Sequence, residues 1–262
     1  MPIKIHQGML ACLLSSLLVV TGCTQGNSPT NAEVTPSPTA TESVATPSPT
    51  SSSTLGQTNP QFRNLPQLAG EATVEMIVKG SPVTIQVDGT HAPITAGNFV
   101  DLVNRGVYNG LPFHRVVRDP QPFVVQGGDP QGRDPSFPVD RLGTGSFTDP
   151  ATSQPRYIPL EIEPEDADQP IYSKTFEMAG ITKAPKLKHT RGAVAMARSN
   201  LPDSASAQFY VALTDLDFLD GNYAVFGYVT NGMEVIDQVQ QGDRITSARV
   251  TAGLENLKPG GG

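Results

Sequence analysis

Short β-branched runs cut by Gly and Pro constrain this chain more than any other feature. In 113–129, Val116-Val117 and Val124-Val125 flank a Pro-containing turn, and Gly127-Gly128 breaks the second run. β-Branched residues favour strands, and a double glycine marks a bulge or a close backbone approach. The pattern recurs along 61–262. Residues 72–78 and 83–87 read as strands joined by Lys79-Gly80-Ser81-Pro82, a hairpin; 193–197, 208–213, 223–229 and 245–251 read as further strands. Two segments carry helical spacing instead. Behind Pro93, a good first helical residue, Ala96, Phe99, Leu102 and Val103 share a face, and Gly106 is the stop. In 232–241 Met233, Ile236 and Val239 do the same before Gly242. Alternating βα units are absent, which excludes a doubly wound sheet. The pattern predicts a mainly β fold, a closed antiparallel eight-stranded β-barrel capped by two short helices.

Everything before residue 61 has a different character. Lys4 precedes an apolar run of 12 residues at 9–20. That suits a signal h-region and falls short of the ~20 residues of a spanning helix. Val20-Thr21-Gly22-Cys23 resembles a bacterial lipobox, which implies cleavage before Cys23 and a lipid on that cysteine. The alternatives are a secretory signal cut elsewhere or a short anchor. In 24–60, Ser, Thr and Pro make up 22 of the 37 residues, with no aromatic and only Glu33 and Glu42 charged. Such a segment buries too little apolar surface to offset the entropy of ordering it. The expected organisation is a signal peptide at 1–22, a disordered Ser/Thr/Pro-rich linker at 23–60 and a domain at 61–262. The protein is expected outside the cytoplasm, anchored by the lipid on Cys23 to the periplasmic side of a bacterial membrane.

The net charge of −7 argues against nucleic acid as a partner, because phosphate binding needs a basic face. Both cysteines, Cys12 and Cys23, precede the domain, and His6, His91, His114 and His189 have no ligand spacing, so neither metal nor cofactor is expected. Residues 130–190 are rich in proline and hard to read. Only 157–162 suggests a strand, and Glu161, Glu163, Glu165, Asp166 and Asp168 read as a solvated acidic face rather than a calcium loop.

Four separated motifs carry a resemblance. Phe113-His114-Arg115-Val116 with Phe123-Val124-Val125-Gln126-Gly127-Gly128-Asp129-Pro130 is the first, and Gly192-Ala193-Val194-Ala195-Met196-Ala197 the second. Ser206-Ala207-Gln208-Phe209-Tyr210-Val211 and Phe218-Leu219-Asp220-Gly221-Asn222-Tyr223-Ala224-Val225-Phe226-Gly227 complete the set. Together, in this order over 66–255, they resemble the cyclophilins, a family of peptidyl-prolyl cis-trans isomerases with a β-barrel fold. The resemblance makes Arg115 the catalytic arginine. It makes Gln126 and Gln208 the polar residues that orient substrate and arginine. Phe123, Val124, Met196, and Phe209 or its neighbour Tyr210 would line the proline pocket, with Leu219, Phe218 and Tyr223 at its edge; by alignment Tyr210 takes the family's second pocket-lining Phe. Ala197 and Arg198 would form the floor where substrate backbone pairs. Proline-containing polypeptides would be the partners and a monomer the expected state. Taken singly each residue has a plain structural reading: a surface ion pair for Arg115, a satisfied core amide for Gln126, ordinary core for the aromatics. The joint pattern singles them out.

Three departures accompany the likeness. Phe218 stands where the family commonly has Trp, Tyr223 where it has His, and Arg198 where it has Asn. Phe218 lacks the indole donor that relatives offer to cyclosporin. Residues 130–190 exceed the family norm by tens of residues. The expected activity is acceleration of rotation about Xaa-Pro bonds during folding of exported proteins. The alternative is a module that binds proline peptides in the same pocket without turnover. A hydrolase finds no support, since no Gly-x-Ser-x-Gly elbow is present.

Overall fold

A computed structural model describes residues 62–260; the expected signal peptide, Cys23 and the linker lie outside the described residues. The Lys79-Gly80 turn starts the main sheet. Both residues have positive φ (51° and 78°), as a two-residue hairpin turn of the primed type requires. It joins β1 (Glu71–Val78) to β2 (Ser81–Asp88). Ser81 and Pro82, expected in the turn, therefore belong to the strand. Ala72, Val74, Met76 and Val78 point inward from β1, and Val83, Ile85 and Val87 from β2, with half-exposed residues between them.

The sheet continues with β3 (Phe113–Val116), β4 (Val124–Gly127), β5 (Ala193–Met196), β6 (Phe209–Ala212), β7 (Val225–Asn231) and β8 (Ile245–Ala252). All eight strands pair antiparallel in the order β8-β1-β2-β7-β5-β6-β4-β3. The expected closed barrel is therefore an open, curled half-barrel, because β3 and β8 do not pair as strands. Residues 110–113 and 242–245 meet ahead of them. Gly110 N–H donates to Ile245 O (2.7 Å), Ile245 N–H to Leu111 O (2.9 Å) and Phe113 N–H to Asp243 O (2.8 Å). Beyond Gly110, the Ala248 N–H of β8 is taken by the Asn109 side-chain oxygen (2.8 Å).

Helix α1 (Pro93–Asn104) lies against the concave side of the sheet. Phe99 is fully buried and packs its ring 4.7 Å from Phe226, 5.3 Å from Tyr108 and 5.5 Å from Phe209. The helix stops where expected, at Gly106 in the left-handed region. Helix α2 (Phe176–Ala179), not foreseen, is a single turn capped by the Thr175 hydroxyl and closed by Gly180. Helix α3 is also a single turn (Met233–Ile236), shorter than the expected 232–241. Beyond it, Gln238 and Val239 donate three residues back rather than four. The carbonyls of Ile236 and Asp237 are drawn outward by Arg118 Nη2 (3.1 and 2.9 Å). Among the described residues no helix is long and apolar enough to cross a membrane.

The 130–190 insertion combines buried apolar residues (Phe147, Ile158, Leu160, Ile162, Phe176) with buried polar contacts. Its acidic run is not a solvated face throughout. Glu165, Asp166 and Asp168 are exposed, but Glu161 and Glu163 are buried. The Glu161 carboxylate accepts from Ile94 N–H (3.1 Å), Thr95 N–H (2.7 Å) and the Thr95 hydroxyl (2.7 Å), and so caps α1 from outside the helix. Glu163 pairs with Lys186 at 2.7 Å. Arg156 reaches Asp101 of α1 at 2.7 Å, with both side chains over nine-tenths buried. The strand expected at 157–162 shrinks to Glu161–Ile162, paired with Ile171–Tyr172.

Candidate active site

Strand alternation sorts the expected site residues onto two faces. On β6, Phe209 and Val211 join the core around Phe99, while Tyr210 and Ala212 face the other way. On β5, Val194 and Met196 go to the core and Ala193 and Ala195 to the outer face. On β4, Val125 is core and Val124 outer. The outer cluster gathers Val124 and Tyr210 with Phe123, Ala197, Leu219 and Tyr223. Met196 and Phe209, expected in the proline pocket, are thus core residues on the opposite face. Of the neighbours Phe209 and Tyr210, Tyr210 is the one in the outer cluster.

A bulge decides where Arg115 points. Phe113 pairs with Gly127 and Arg115 with Gln126, so His114 is an extra residue on β3. Without that shift Arg115 would share the inward side of Phe113. With it, Arg115 turns to the exposed face beside Gln126. The glycines after Gln126 make room for this packing. A Cβ on Gly127 would meet the Phe113 ring at 3.0 Å, and one on Gly128, where φ is +87°, would meet Ala207 O at 2.6 Å.

A chain of hydrogen bonds then crosses three strands. Arg115 Nη1 donates to Gln126 Oε1 (3.3 Å), Gln126 Nε2 to Gln208 Oε1 (3.3 Å), and Gln208 Nε2 to Gly145 O (2.8 Å). The guanidinium carbon lies 5.5 Å from the centre of the Phe123 ring. Phe123 stacks on the exposed Phe218 at 6.1 Å and 14°. Tyr223 meets Tyr210 edge-on at 6.0 Å, and Arg198 lies over the Tyr223 ring at 4.7 Å. The Arg198 side chain also donates to Asn222 O through Nε (3.0 Å) and Nη2 (2.7 Å), so it ties the 219–223 loop to the end of β5. A cation thus stands beside an apolar wall, its orientation set by two amides.

A cavity of about 570 Å³ adjoins this wall, and Gln126, Ala197, Arg198 and Gln208 all line it. Its far side is made by residues that sequence reading misses: the strip 143–146, Tyr157, Leu201 and Asp203. The strip hangs on Asp129, whose buried carboxylate accepts from Gly143 N–H (2.6 Å) and Gly145 N–H (2.9 Å). The Asp of the Gly127-Gly128-Asp129 run is the available signal. His114, in the bulge, is buried, and burial is the main cause that lowers its imidazole pKa, against the pull of Asp129. Burial thus favours its neutral imidazole. Among the described residues no group of three His, Cys, Asp or Glu comes together to hold a metal ion.

The family model for cyclophilin-type peptidyl-prolyl cis-trans isomerases matches residues 73–255. The chain belongs to the cyclophilin family. It is 44% identical over 211 residues to a putative thylakoid lumen peptidyl-prolyl cis-trans isomerase of Synechocystis, covering 76% of this chain and 52% of that protein. It is 40% identical to the chloroplastic isomerase CYP38 of Arabidopsis thaliana, covering 75% of this chain and 46% of the other. The chain thus spans about half the length of these two relatives. A probable isomerase of Brucella abortus is 31% identical, with 69% of this chain and 77% of that protein covered. A cyclophilin-type isomerase of Cryptosporidium parvum has the same fold, with a TM-score of 0.52 at 22% identity over 70% of this chain and 98% of that one. Another crystal structure of that protein was determined in the presence of the dipeptide Ala-Pro. Phe218, Tyr223 and Arg198, the three expected departures, all adjoin the apolar wall: Phe218 stacks on Phe123, Tyr223 meets Tyr210, and Arg198 lies over Tyr223 while donating to Asn222 O.

Proposed function

We propose that this cyclophilin accelerates cis-trans rotation about Xaa-Pro bonds, with Arg115 as the catalytic group and Gln126 and Gln208 as its orienters. The observation that carries the reading is the bulge at His114, which sets Arg115 against Gln126 and beside the Phe123 ring. A prolyl amide resists rotation because its C–N bond is partly double, with a barrier of roughly 18–20 kcal/mol. No bond is cleaved, so no nucleophile or proton donor is needed. As the bond twists, the prolyl nitrogen regains its lone pair and can accept from the guanidinium. That contact is stronger in the transition state than in the ground state, which is the condition for catalysis. Phe123, Val124, Tyr210, Leu219 and Tyr223 would grip the ring, with Phe218 at the edge. Ala197 would pair with the peptide backbone. The Ala-Pro dipeptide used with the Cryptosporidium protein has the chemistry this wall would take.

The wider setting is part of the same proposal. Residues 1–22 would be a lipoprotein signal, Cys23 would carry the lipid and 23–60 would be the tether, with proteins folding outside the cytoplasm as clients. The luminal and chloroplastic names of two relatives support an extracytoplasmic compartment. Labelled palmitate is expected in the wild type and absent from Cys23→Ser.

The deciding test is exchange NMR on a Xaa-Pro peptide with the full-length protein, wild type beside Arg115→Ala. Wild type should accelerate exchange, and the variant should lose about 10²–10³-fold while keeping the fold. Acceleration untouched by the substitution would discard the role of Arg115. Binding without acceleration would make the protein a proline-peptide module.

A further inference from the structure

Tyr210 is a buried member of the apolar wall, and its ring carries a buried hydroxyl. That hydroxyl lies 2.9 Å from Nε2 of His189, which is completely buried at the end of the insertion. The other ring nitrogen, Nδ1, lies 2.7 Å from Asp220 Oδ1, and the same oxygen accepts the His189 backbone N–H at 2.9 Å. The His189 carbonyl in turn accepts from Leu216 N–H at 2.7 Å. A carboxylate can only accept, so Nδ1 donates to Asp220, and in the neutral imidazole the Nε2 lone pair takes the Tyr210 O–H. Every polar atom of His189 is thereby used.

The placement matters because of what the loop carries. Leu216 and Asp220 flank the 3₁₀ turn Asp217–Leu219, which presents Phe218 and Leu219, and Tyr223 follows. The loop is tied in two further places, where Phe176 N–H donates to Gly221 O (2.9 Å) and where Arg198 holds Asn222 O. The His189 tie is the one of the three that reaches the pocket floor through Tyr210.

We infer that His189 is a positioning residue of the proline pocket, fixing the 216–223 loop over Tyr210 at the separation that admits a prolyl ring. The inference rests on the isomerase reading for the pocket's occupant. His189 touches no substrate; it acts through Tyr210, Leu219 and Tyr223. Its loss widens the gap and weakens binding of the ring, while Arg115, on β3, is left in place.

The test compares His189→Asn, Tyr210→Phe and the double variant with wild type in the full-length protein. Asn keeps a donor toward Asp220 but leaves the Tyr210 hydroxyl buried without an acceptor. The first readout needs no substrate: the cross-ring NOE between Tyr210 and Tyr223 should be lost in His189→Asn. The second is titration with an Ala-Pro peptide. Its Kd should rise about tenfold in His189→Asn and about threefold in Tyr210→Phe, with exchange at saturation changed less than about twofold. The double variant should bind better than His189→Asn alone, because the orphaned hydroxyl is gone. An unmoved NOE and Kd in His189→Asn, or equal losses in affinity and saturated rate, would overturn the inference. So would a double variant no better than the single one. If His189→Asn does not fold, Tyr210→Phe decides: a Kd equal to wild type overturns the inference. A wild type that binds no prolyl peptide overturns this inference and the isomerase reading together. A wild type that binds and isomerises beside unmoved variants overturns this inference alone.

Discussion

On the curled sheet, Val74, Ile85 and Phe226 are buried among other apolar side chains, and charges stay at the surface. The Arg249–Glu75 pair there leaves 71% of the arginine side chain exposed. In the insertion the buried positions include Glu161, Glu163 and Arg156, each bonded to a group far away in sequence. The sheet is ordered by burial, which is non-directional and repeats every second residue. The insertion buries Phe147, Ile158, Leu160, Ile162 and Phe176 as well, but adds directed bonds between buried charged groups. Loss of one partner in such a pair leaves a buried charge uncompensated.

The sharpest way to probe the sheet side is Phe99→Ala. Its ring is enclosed by Phe226, Tyr108 and Phe209, and the cavity should cost about 4 kcal/mol in urea unfolding. On the insertion side Arg156→Ala should cost about 3 kcal/mol, since Asp101 keeps Arg105 as a second partner at 2.8 Å. A loss below ~1 kcal/mol would break the contrast between sheet and insertion.

Glu161 should add a pH dependence that the sheet lacks. Burial pushes its carboxyl up from 4.5 to about 6, against the bonds from Thr95 and Ile94. The folded state therefore favours the protonated form. Its stabilising contribution is full below pH 4.5 and is lost as pH rises through about 6. The total is about 2 kcal/mol, since each tenfold change in proton affinity is worth ~1.36 kcal/mol. Urea unfolding between pH 4 and 8 should show this slope in wild type and not in Glu161→Gln. Smallest of all, Arg249→Ala on the sheet surface should change stability by less than ~0.5 kcal/mol. A larger loss would mean that surface charge also orders the sheet.

The same contrast governs what can be read from the residues alone. The Lys79-Gly80 hairpin, α1 and the eight strands follow from apolar period and glycine position, both local. Arg115, Phe123, Gln126 and Gln208 are legible because their motifs are contiguous. Met196 and Phe209, expected among the pocket residues, lie in the core, because one residue along a strand moves a side chain to the other face; the same alternation puts Tyr210, the neighbour that alignment favours, in the outer cluster. The buried Glu161 reads as solvated, since a carboxylate in a proline-rich stretch gives no sign that a helix end awaits it. Barrel closure is overestimated because the Asn109 bond that takes the Ala248 N–H forms only where the two edges meet.

By itself the sequence determined the strand-rich character of the domain, its family and the identity of the arginine proposed to act on the prolyl bond. These depend on side-chain type and near-neighbour spacing. Tertiary structure alone decided that the bulge at His114 turns Arg115 outward, that the strip 143–146 hangs on Asp129, and that His189 sits between Tyr210 and Asp220. Each depends on a bond or packing contact between residues distant along the chain, and the geometry of that contact exists only once the strands have paired.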